Sequence, residues 1–424
     1  MNVSAEAQSL LRQGRREEAE QAYARLLERQ PDNVEALNVV AIAALRAGQH
    51  ERALELLQRA LRANPADPIT HHHMARVHEG TGNFDAALAE YEETLRLRPQ
   101  LYVARLHFAQ ALEHAGRAPR ALVNYARALK EAQKQGRWLN SQSTPPGLIP
   151  AVEHAVRTVR SNTRQLYTSL FEPIAERFGR DSLMRVERCL RIYLSEESAE
   201  SSDPRQRPTF LFVPDLPPTP YLDRALFDWI DAFEAQTPAI RSELERLLPS
   251  ARGRERVFTS EELERQNLRG ADQAPSWNGY YFYRHGERRD DNCAACPATA
   301  MALDALPLAR VRAHAPEVLL SVFTPGTHLL PHRGVTNTRV VGHLPLIIPP
   351  DCSLRVGGEQ HDWREGRVVV FDDTYEHEAW NRSDRTRVVL IFDLWNPHLT
   401  AAEREAIAQL VAAIGDFDSE MKQA

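Results

Sequence analysis

The chain has 424 residues, 26% of them charged, and a formal net charge of −6. This length allows two or three domains with a large core, and the net charge gives no support for nucleic-acid binding through a general basic field. Four cysteines are too few for a disulfide framework. Because the sequence has no long apolar run and no signal peptide at its N-terminus, we expect a cytoplasmic chain without a membrane span.

Residues 1–136 repeat with a period of 34. In each unit a glycine permits the turn after the first helix, a small alanine lets the second helix pack closely, and a larger residue follows on the same face. The repeated positions are Gly14, Gly48, Gly82 and Gly116; Ala19, Ala53, Ala87 and Ala121; and Tyr23, Leu57, Tyr91 and Tyr125. This pattern resembles tetratricopeptide repeats and predicts an α-helical solenoid. Peptide binding, a scaffold role and dimerisation stay open as its function.

Residues 137–207 are predicted to form a linker followed by bracing helices. Residues 138–150 are rich in Ser, Pro and Gly, residues 151–195 return to helical spacing, and residues 196–207 are polar. Further along, Cys293 and Cys296 form a single CxxC without additional zinc ligands or a thioredoxin-like context. We therefore expect a structural or incidental role for these two cysteines.

Residues 208–424 are predicted to form a β-rich domain. Thr209–Val213 is expected to be its first strand, and Tyr221–Leu248 is expected to be a helix. Further strands are predicted by β-branched and aromatic runs between turn residues, at Trp277–Arg284, Val318–Phe323, Arg339–Ile348, Ser353–Val356, Arg367–Phe371 and Arg387–Trp395. An all-β sandwich or barrel would hold side chains from distant strands around one cavity.

Three residues of this domain carry the candidate chemistry. His332 follows a turn-like segment, His377 ends the sequence FDDTYEH, and Arg387 opens an apolar run. Neutral imidazole is the commonest transition-metal ligand, and two imidazoles with open positions suit Fe(II) oxygen chemistry. A guanidinium pairs bidentately with a carboxylate. A single histidine of this kind is more often a satisfied polar side chain, so the prediction of a site depends on the whole set.

The order and spacing of motifs over residues 321–397 resemble the aspartyl/asparaginyl β-hydroxylase family of 2-oxoglutarate-dependent oxygenases. The matching pieces are Ser321, PGT (325–327), PHRG (331–334), NTR (337–339), HL (343–344), WREG (363–366), FDD (371–373), EHEAWN (376–381), RVVLIFD (387–393) and WNP (395–397). The resemblance implies a double-stranded β-helix of the jelly-roll or cupin type. It also implies Fe(II) as cofactor, with 2-oxoglutarate and O2 as co-substrates.

The same resemblance implies a role for each matching residue. His332 and His377 would hold Fe(II), and Arg387 with Ser321 would bind the distal carboxylate of 2-oxoglutarate. His343 would contact the other end of the co-substrate. These residues form the predicted catalytic, metal-binding and cofactor-binding set.

Several acidic residues lie close in the sequence to the predicted metal ligands. Many Fe(II) oxygenases carry an Asp or Glu two residues after the first histidine, but that position is Gly334 in this sequence. The resembling family also lacks this carboxylate, and water is expected in its place. Asp372, Asp373, Glu376 and Glu378 are expected to be turn residues or partners that orient the ligands.

The family resemblance implies the β-carbon of Asp or Asn in a peptide or protein as the site of hydroxylation, with the solenoid helping to recognise the substrate. Relatives often carry a second basic residue two positions after Arg339, where this sequence has Val341. Its loss weakens the prediction of an acidic substrate, and Arg333 and Arg339 remain possible anion partners. The alternatives are a non-catalytic scaffold protein and a hydroxylase of a free or carrier-bound amino acid. Nucleic acid is not an expected partner, and no membrane span is expected.

Overall fold

A computed structural model of the protein describes residues 3–249, 253–270 and 276–424. The chain divides into two compact units, one comprising Met1–Thr163 with Phe417–Ala424 and the other comprising Arg164–Asp416. No helix in the described ranges is both long and apolar enough to cross a membrane.

The first unit is built from helical repeats. Its helices are α1 (Val3–Arg12), α2 (Arg16–Arg29), α3 (Val34–Arg46), α4 (His50–Ala63), α5 (Pro68–Gly80), α6 (Phe84–Leu97), α7 (Tyr102–His114), α8 (Ala118–Lys134) and α9 (Ile149–Ser169), the last of which runs past residue 163. Gly48 lies between α3 and α4 with φ +73°, a conformation that favours glycine. Ala53 and Ala87 are fully buried, so these positions do allow close helix packing. The predicted helical repeats are confirmed.

The second unit is rich in β-structure. Its remaining helices are α10 (Glu172–Phe178), α11 (Met184–Tyr193), α12 (Ile230–Glu234), α13 (Thr237–Leu247), α14 (Glu261–Asn267), α15 (Asp290–Ala295), α16 (Pro297–Asp304) and α17 (Ala401–Gln423), which continues into the first unit. Its strands are β1 (Arg254–Arg256), β2 (Leu268–Arg269), β3 (Trp277–Arg284), β4 (Glu287–Arg288), β5 (Val318–Phe323), β6 (His328–His332), β7 (Arg339–Ile347), β8 (Cys352–Val356), β9 (Glu359–Asp362), β10 (Val369–Phe371), β11 (His377–Asn381) and β12 (Arg387–Trp395).

Two antiparallel sheets organise these strands. One has seven strands in the order β1-β3-β5-β12-β7-β10, with β4 paired to β3. The other has five strands in the order β2-β6-β11-β8-β9. The seven-stranded sheet packs one face against α13 and α16 in a large apolar core. Cys293 and Cys296 are free thiols buried in that core.

Two predictions for the segment before β1 were wrong. Thr209–Val213 forms no strand beyond a single bridge at Leu211, because the side-chain amide of Asn337 bonds both the N–H and the carbonyl of Val213 at 2.8 Å. Residues 221–248 do not form one helix. The chain breaks before α13, where Pro238 lacks an N–H and is suited to the first turn of a new helix.

Candidate functional site

Side chains alternate between the two faces of the seven-stranded sheet along three neighbouring strands. In β5, β7 and β12 the even-numbered residues pack into the core against the helices, as Leu320, Leu344 and Leu390 do. The odd-numbered residues point the other way and line a cavity of about 420 Å³. The cavity-lining residues from these strands are Leu319, Ser321, Phe323, Arg339, Val341, His343, Arg387 and Ile391.

The five-stranded sheet contributes two histidines to the same cavity. His332 ends β6 and His377 begins β11, and the two residues lie directly opposite each other in the antiparallel ladder. Their ring centroids are 4.0 Å apart with an interplanar angle of 51°. The structure therefore brings together two imidazoles that are 45 residues apart in the sequence.

Backbone contacts fix the tautomer of both imidazoles. Nδ1 of His332 lies 2.8 Å from the carbonyl of Leu330, and Nδ1 of His377 lies 3.1 Å from the carbonyl of Tyr375. A carbonyl only accepts, so each Nδ1 carries the proton and each Nε2 carries the lone pair. Burial lowers the pKa of His332 and lowers the pKa of His377 to about 3, so both rings are neutral near pH 7. This donor set suits a divalent transition metal.

Arg387 is a buried cation without an acidic partner. The residue is 1% exposed and its Nε has no hydrogen-bond partner. Its guanidinium carbon lies 4.2 Å from the Trp363 ring centroid and 4.5 Å from that of Phe323. Burial lowers the pKa of Arg387 to about 9, and no carboxylate in the described part of the chain forms an ion pair with it. A buried charge is normally paired, so this arrangement indicates an anion-binding site.

Ser321 completes the polar end of this anion site. Its Oγ accepts hydrogen bonds from Arg387 at 3.1 Å and from Nε1 of Trp277 at 3.0 Å. With both acceptor positions used, the hydroxyl hydrogen is free to point at a bound oxygen. Trp277 was predicted only as part of a strand, and its indole N–H was not identified as part of the site. A hydroxyl and a guanidinium aimed into one cavity are suited to a carboxylate.

His343 lines the same cavity as the anion site and the histidine pair. The residue is 5% exposed, and its Nδ1 is buried without a hydrogen-bond partner. Its ring packs edge-on against Phe371 at 4.9 Å between centroids. Burial, with help from the charge of Arg387, holds the pKa of His343 well below its usual range. The unpartnered nitrogen is available to a ligand that spans the cavity.

Asp373 occupies the space next to Gly334. A Cβ added at Gly334 would lie 2.1 Å from Cγ of Asp373, so the aspartate fills the volume that a side chain at position 334 would need. Burial raises the pKa of Asp373 to about 7, although the charge of Arg339 opposes this shift. Oδ1 of Asp373 has no hydrogen-bond partner. Asp373 lines the cavity together with His332 and His377. Among the described residues, no group of three His, Cys, Asp or Glu side chains is arranged to hold a metal ion.

The two arginines named as possible anion partners have different surroundings. Arg339 lines the cavity and donates a 2.8 Å hydrogen bond to Asp393, while its Nε is buried without a partner. Arg333 is not among the cavity-lining residues, and its guanidinium donates to the carbonyls of Arg205 and Thr374. Val341 lies on the cavity wall and is 8% exposed. The cavity wall is therefore apolar at this position.

Comparisons with known proteins agree with this arrangement of domains. A family model for aspartyl/asparaginyl beta-hydroxylase matches residues 234–397, and one for the tetratricopeptide repeat matches residues 4–68 and 73–136. Aspartate beta-hydroxylase domain-containing protein 2 of Mus musculus is 33% identical over 251 residues, which cover 58% of this chain and 69% of the relative. The fold and the comparisons thus define a hydroxylase with helical repeats. More particularly, the chain belongs to the aspartyl/asparaginyl β-hydroxylase family.

Two further relatives show how widely the family varies. The aspartyl/asparaginyl beta-hydroxylase of Homo sapiens is 32% identical over 179 residues, which cover 42% of this chain and 22% of that protein. The ornithine lipid ester-linked acyl 2-hydroxylase of Rhizobium tropici is 34% identical over 181 residues, covering 42% of this chain and 61% of that enzyme. These two names describe different kinds of substrate.

Proposed function

We propose that this chain is an Fe(II)- and 2-oxoglutarate-dependent dioxygenase that hydroxylates an unactivated C–H bond. The observation that carries the proposal is the unpaired, buried guanidinium of Arg387 in the same cavity as the facing pair His332 and His377. A neutral nitrogen donor pair and an isolated buried cation match a metal and an anionic co-substrate bound side by side. The family membership supports an oxygenase reaction.

The cavity-lining groups that lack hydrogen-bond partners, including Nε of Arg387 and Nδ1 of His343, fit the proposed ligands. His332 and His377 would hold Fe(II), while Arg387 and Ser321 would bind the distal carboxylate of 2-oxoglutarate and His343 would contact its other end. Fe(II), 2-oxoglutarate and O2 supply the oxidising power for C–H hydroxylation when they are bound. The carbonyls of Leu330 and Tyr375 fix both imidazoles in the orientation that would hold the metal. The aromatic rings of Phe323 and Trp363 beside Arg387 would exclude water from a carboxylate bound there.

The proposal includes the domain boundaries. We place the solenoid at residues 1–136, the linker and bracing helices at 137–207, and the catalytic domain at 208–424. Within that domain, the facing antiparallel sheets would form a double-stranded β-helix.

The substrate proposed first is an Asp or Asn residue in a peptide or protein, hydroxylated at its β-carbon. The partnerless Nε of Arg339 in the cavity wall supports recognition of a polar side chain. Val341 favours a second candidate, an aliphatic or acyl C–H bond, because it makes this part of the cavity wall apolar. The acyl hydroxylase among the relatives is consistent with this second candidate.

The reaction class is tested by succinate formation from 2-oxoglutarate with iron-loaded protein. The double substitution of His332 and His377 to alanine is expected to reduce turnover by at least about 100-fold, because it removes both proposed ligands. His361→Ala is the matched control, because this half-buried histidine does not line the cavity. Full turnover in the double variant would contradict the assignment. Failure of the wild-type chain to bind both metal and 2-oxoglutarate would favour a non-catalytic scaffold.

The substrate class is tested by comparing cells that contain or lack the protein. Peptides heavier by one oxygen at Asp or Asn, found only when the protein is present, would support the first candidate. Oxygen found on acyl chains would support the second, and oxygen on a free or carrier-bound amino acid would contradict both.

A further inference from the structure

One acidic residue that lines the cavity has no role in the binding of iron or co-substrate proposed above. Glu317 directly precedes β5 and is part of the cavity lining. Its N–H donates to the carboxylate of Asp393 at 3.0 Å, and the N–H of Asp393 donates to the carbonyl of Glu317 at 3.2 Å. These two bonds continue the pairing of β5 with β12 and fix the position of Glu317.

A long stretch of β12 separates Glu317 from the anion site formed by Arg387 and Ser321. From Arg387 to Asp393 the strand advances six residues, which is about 20 Å at about 3.4 Å per residue. 2-Oxoglutarate has four carbon–carbon bonds and reaches only about 6 Å. A co-substrate bound at Arg387 would therefore leave the part of the cavity near Glu317 free for a substrate.

The cavity wall between Glu317 and the anion site is aliphatic. Leu319 lies opposite Ile391 in the ladder between β5 and β12, and both residues line the cavity. Val341 lies opposite Asp393 on the other side of β12 and also lines the cavity. A substrate that reaches Glu317 would therefore place an aliphatic segment against these three side chains.

The two arginines that line the cavity outside the anion site already have acidic partners. Arg284 pairs with Glu255, and Arg339 donates to Asp393 at 2.8 Å. Each of these positive charges is therefore balanced by a carboxylate other than that of Glu317.

The carboxylate of Glu317 uses only one of its two oxygens. Oε1 accepts from the N–H of His285 at 2.6 Å and lies 3.0 Å from Nδ1 of the same residue. Within the described part of the chain, Oε2 forms neither a hydrogen bond nor an ion pair, and the side chain is 27% exposed. Burial raises the pKa of Glu317, and the charge of Asp393 adds to this shift. A raised pKa is the direction expected of a carboxylate with too little positive charge around it.

We propose that Glu317 selects substrates that carry a protonated amine at the end of an aliphatic segment. The amine would donate to Oε2 of Glu317, and the aliphatic segment would pack on Leu319, Ile391 and Val341. A hydrogen bond between two charged groups is stronger than one between neutral groups, so the amine would add both affinity and specificity. This selection rests on the proposed function, because it assigns to the substrate the part of the cavity away from Arg387. A lysine side chain in a peptide and a small aliphatic amine share this chemistry.

The test is a calorimetric titration of the full chain loaded with Fe(II), in the absence of oxygen, with and without 2-oxoglutarate. A small-molecule arm compares hexylamine with 1-hexanol and hexanoate, which have the same chain length and differ in charge. A peptide arm compares acetyl-Ala-Asp-Lys-Ala amide with versions that carry norleucine or Glu in place of Lys. In at least one arm, the amine should bind about tenfold more tightly than both of its counterparts. The arm that shows this preference identifies the source of the amine.

Substitutions at Glu317 test whether this residue is the source of the preference. Glu317→Gln keeps the size of the side chain and removes its charge, so it should weaken binding of the amine about tenfold. Glu317→Lys should reverse the preference, so that the anionic ligand binds more tightly than the amine. Glu287→Gln is the matched control: it makes the same charge change on an exposed residue of β4 outside the cavity lining, and it should leave affinity unchanged. Circular dichroism and thermal unfolding would verify that each variant is folded.

Three results would overturn the selection of an amine by Glu317. One is the absence, in both arms, of any preference for the amine over its neutral counterpart. Another is tighter binding of the anionic ligand in both arms, which would point to Arg339 as the recognition group. The third is unchanged amine affinity in folded Glu317→Gln.

Binding of 2-oxoglutarate to the Fe(II)-loaded wild-type chain separates this proposal from the proposed reaction. If 2-oxoglutarate binds and neither amine does, selection by Glu317 is wrong and the dioxygenase assignment stands. If an amine binds with the expected preference but 2-oxoglutarate does not, the amine site stands and the assignment of the reaction is wrong. If neither binds, both are wrong.

Discussion

Replacing Arg387 with methionine is expected to stabilise the ligand-free protein while it removes 2-oxoglutarate binding. The guanidinium is almost completely buried, has no acidic partner in the described ranges, and leaves Nε without a hydrogen bond. Such a charge is unfavourable for folding unless an anion arrives to pair with it. Methionine has a similar length and a flexible side chain, so it can fill the space between Trp363 and Phe323.

The expected magnitude follows from the surroundings of Arg387. Burial lowers its pKa to about 9, which corresponds to a cost of about 5 kcal/mol for keeping the charge, at about 1.4 kcal/mol per pH unit. The substitution loses the hydrogen bond to Ser321, worth about 1 kcal/mol, and two cation–π contacts worth about 2 kcal/mol together. A net gain of about 2 kcal/mol remains, within the range found when buried charges are replaced by apolar residues.

Thermal unfolding and calorimetry measure the two effects separately. A gain of about 2 kcal/mol should raise the Tm of the metal-free protein by about 4–8 °C. Calorimetric titration with 2-oxoglutarate should show no binding to the Arg387→Met variant. Arg382→Met is the matched control, because Arg382 also stacks on a tryptophan, at 4.8 Å from Trp380, but is exposed. A lower Tm for Arg387→Met, or unchanged 2-oxoglutarate affinity, would refute the reasoning.

Two further predictions concern packing and pH. Gly334→Ala should lower the free energy of unfolding by about 1–3 kcal/mol, because the new Cβ collides with the carboxyl of Asp373. In a double-mutant cycle measured by urea unfolding, adding Asp373→Ala should restore much of that loss. Burial lowers the pKa of His73 to about 4 and that of His107 to about 3, whereas unfolded histidine titrates near 6.5. Between about pH 6.5 and 4 the unfolded chain thus binds protons that the native chain does not, so stability should fall on acidification by about 1.4 kcal/mol per pH unit for each such histidine. Urea unfolding across this range should show a shallower pH dependence for His107→Gln, and an unchanged slope would contradict the assignment.

The sequence predicted the strands of the seven-stranded sheet far better than those that carry the histidines. Val318–Phe323 and Arg387–Trp395 have the predicted bounds, because both are runs of apolar, mostly β-branched and aromatic residues. The strands β6 (HLLPH) and β11 (HEAWN) were not predicted, since histidine, proline and glutamate mask their extended conformation. Family motifs located the histidines where local propensity could not.

The packing of Asp373 against Gly334 could not be predicted from the sequence. The FDD motif placed an acid near His377, but the contact with Gly334 depends on the close approach of two loops that are distant in the sequence. The N–H of Gly334 donates to the carbonyl of Asp373 at 2.6 Å, which fixes that approach. Predicting this contact would have required covariation between positions 334 and 373, which a single sequence cannot show.

A register shift between β6 and β11 is what makes the two histidines face each other. Ala379 lies opposite Leu329 and Trp380 lies opposite His328, so a regular ladder would place His377 opposite Pro331. Since neighbouring residues of a strand point to opposite faces, His332 would then face away from the cavity. One extra residue in β6 moves His332 into register with His377. Proline suits this place, because it has no N–H to lose from the ladder. The geometry of the proposed iron site therefore depends on an irregularity in the sheet as much as on the two imidazoles.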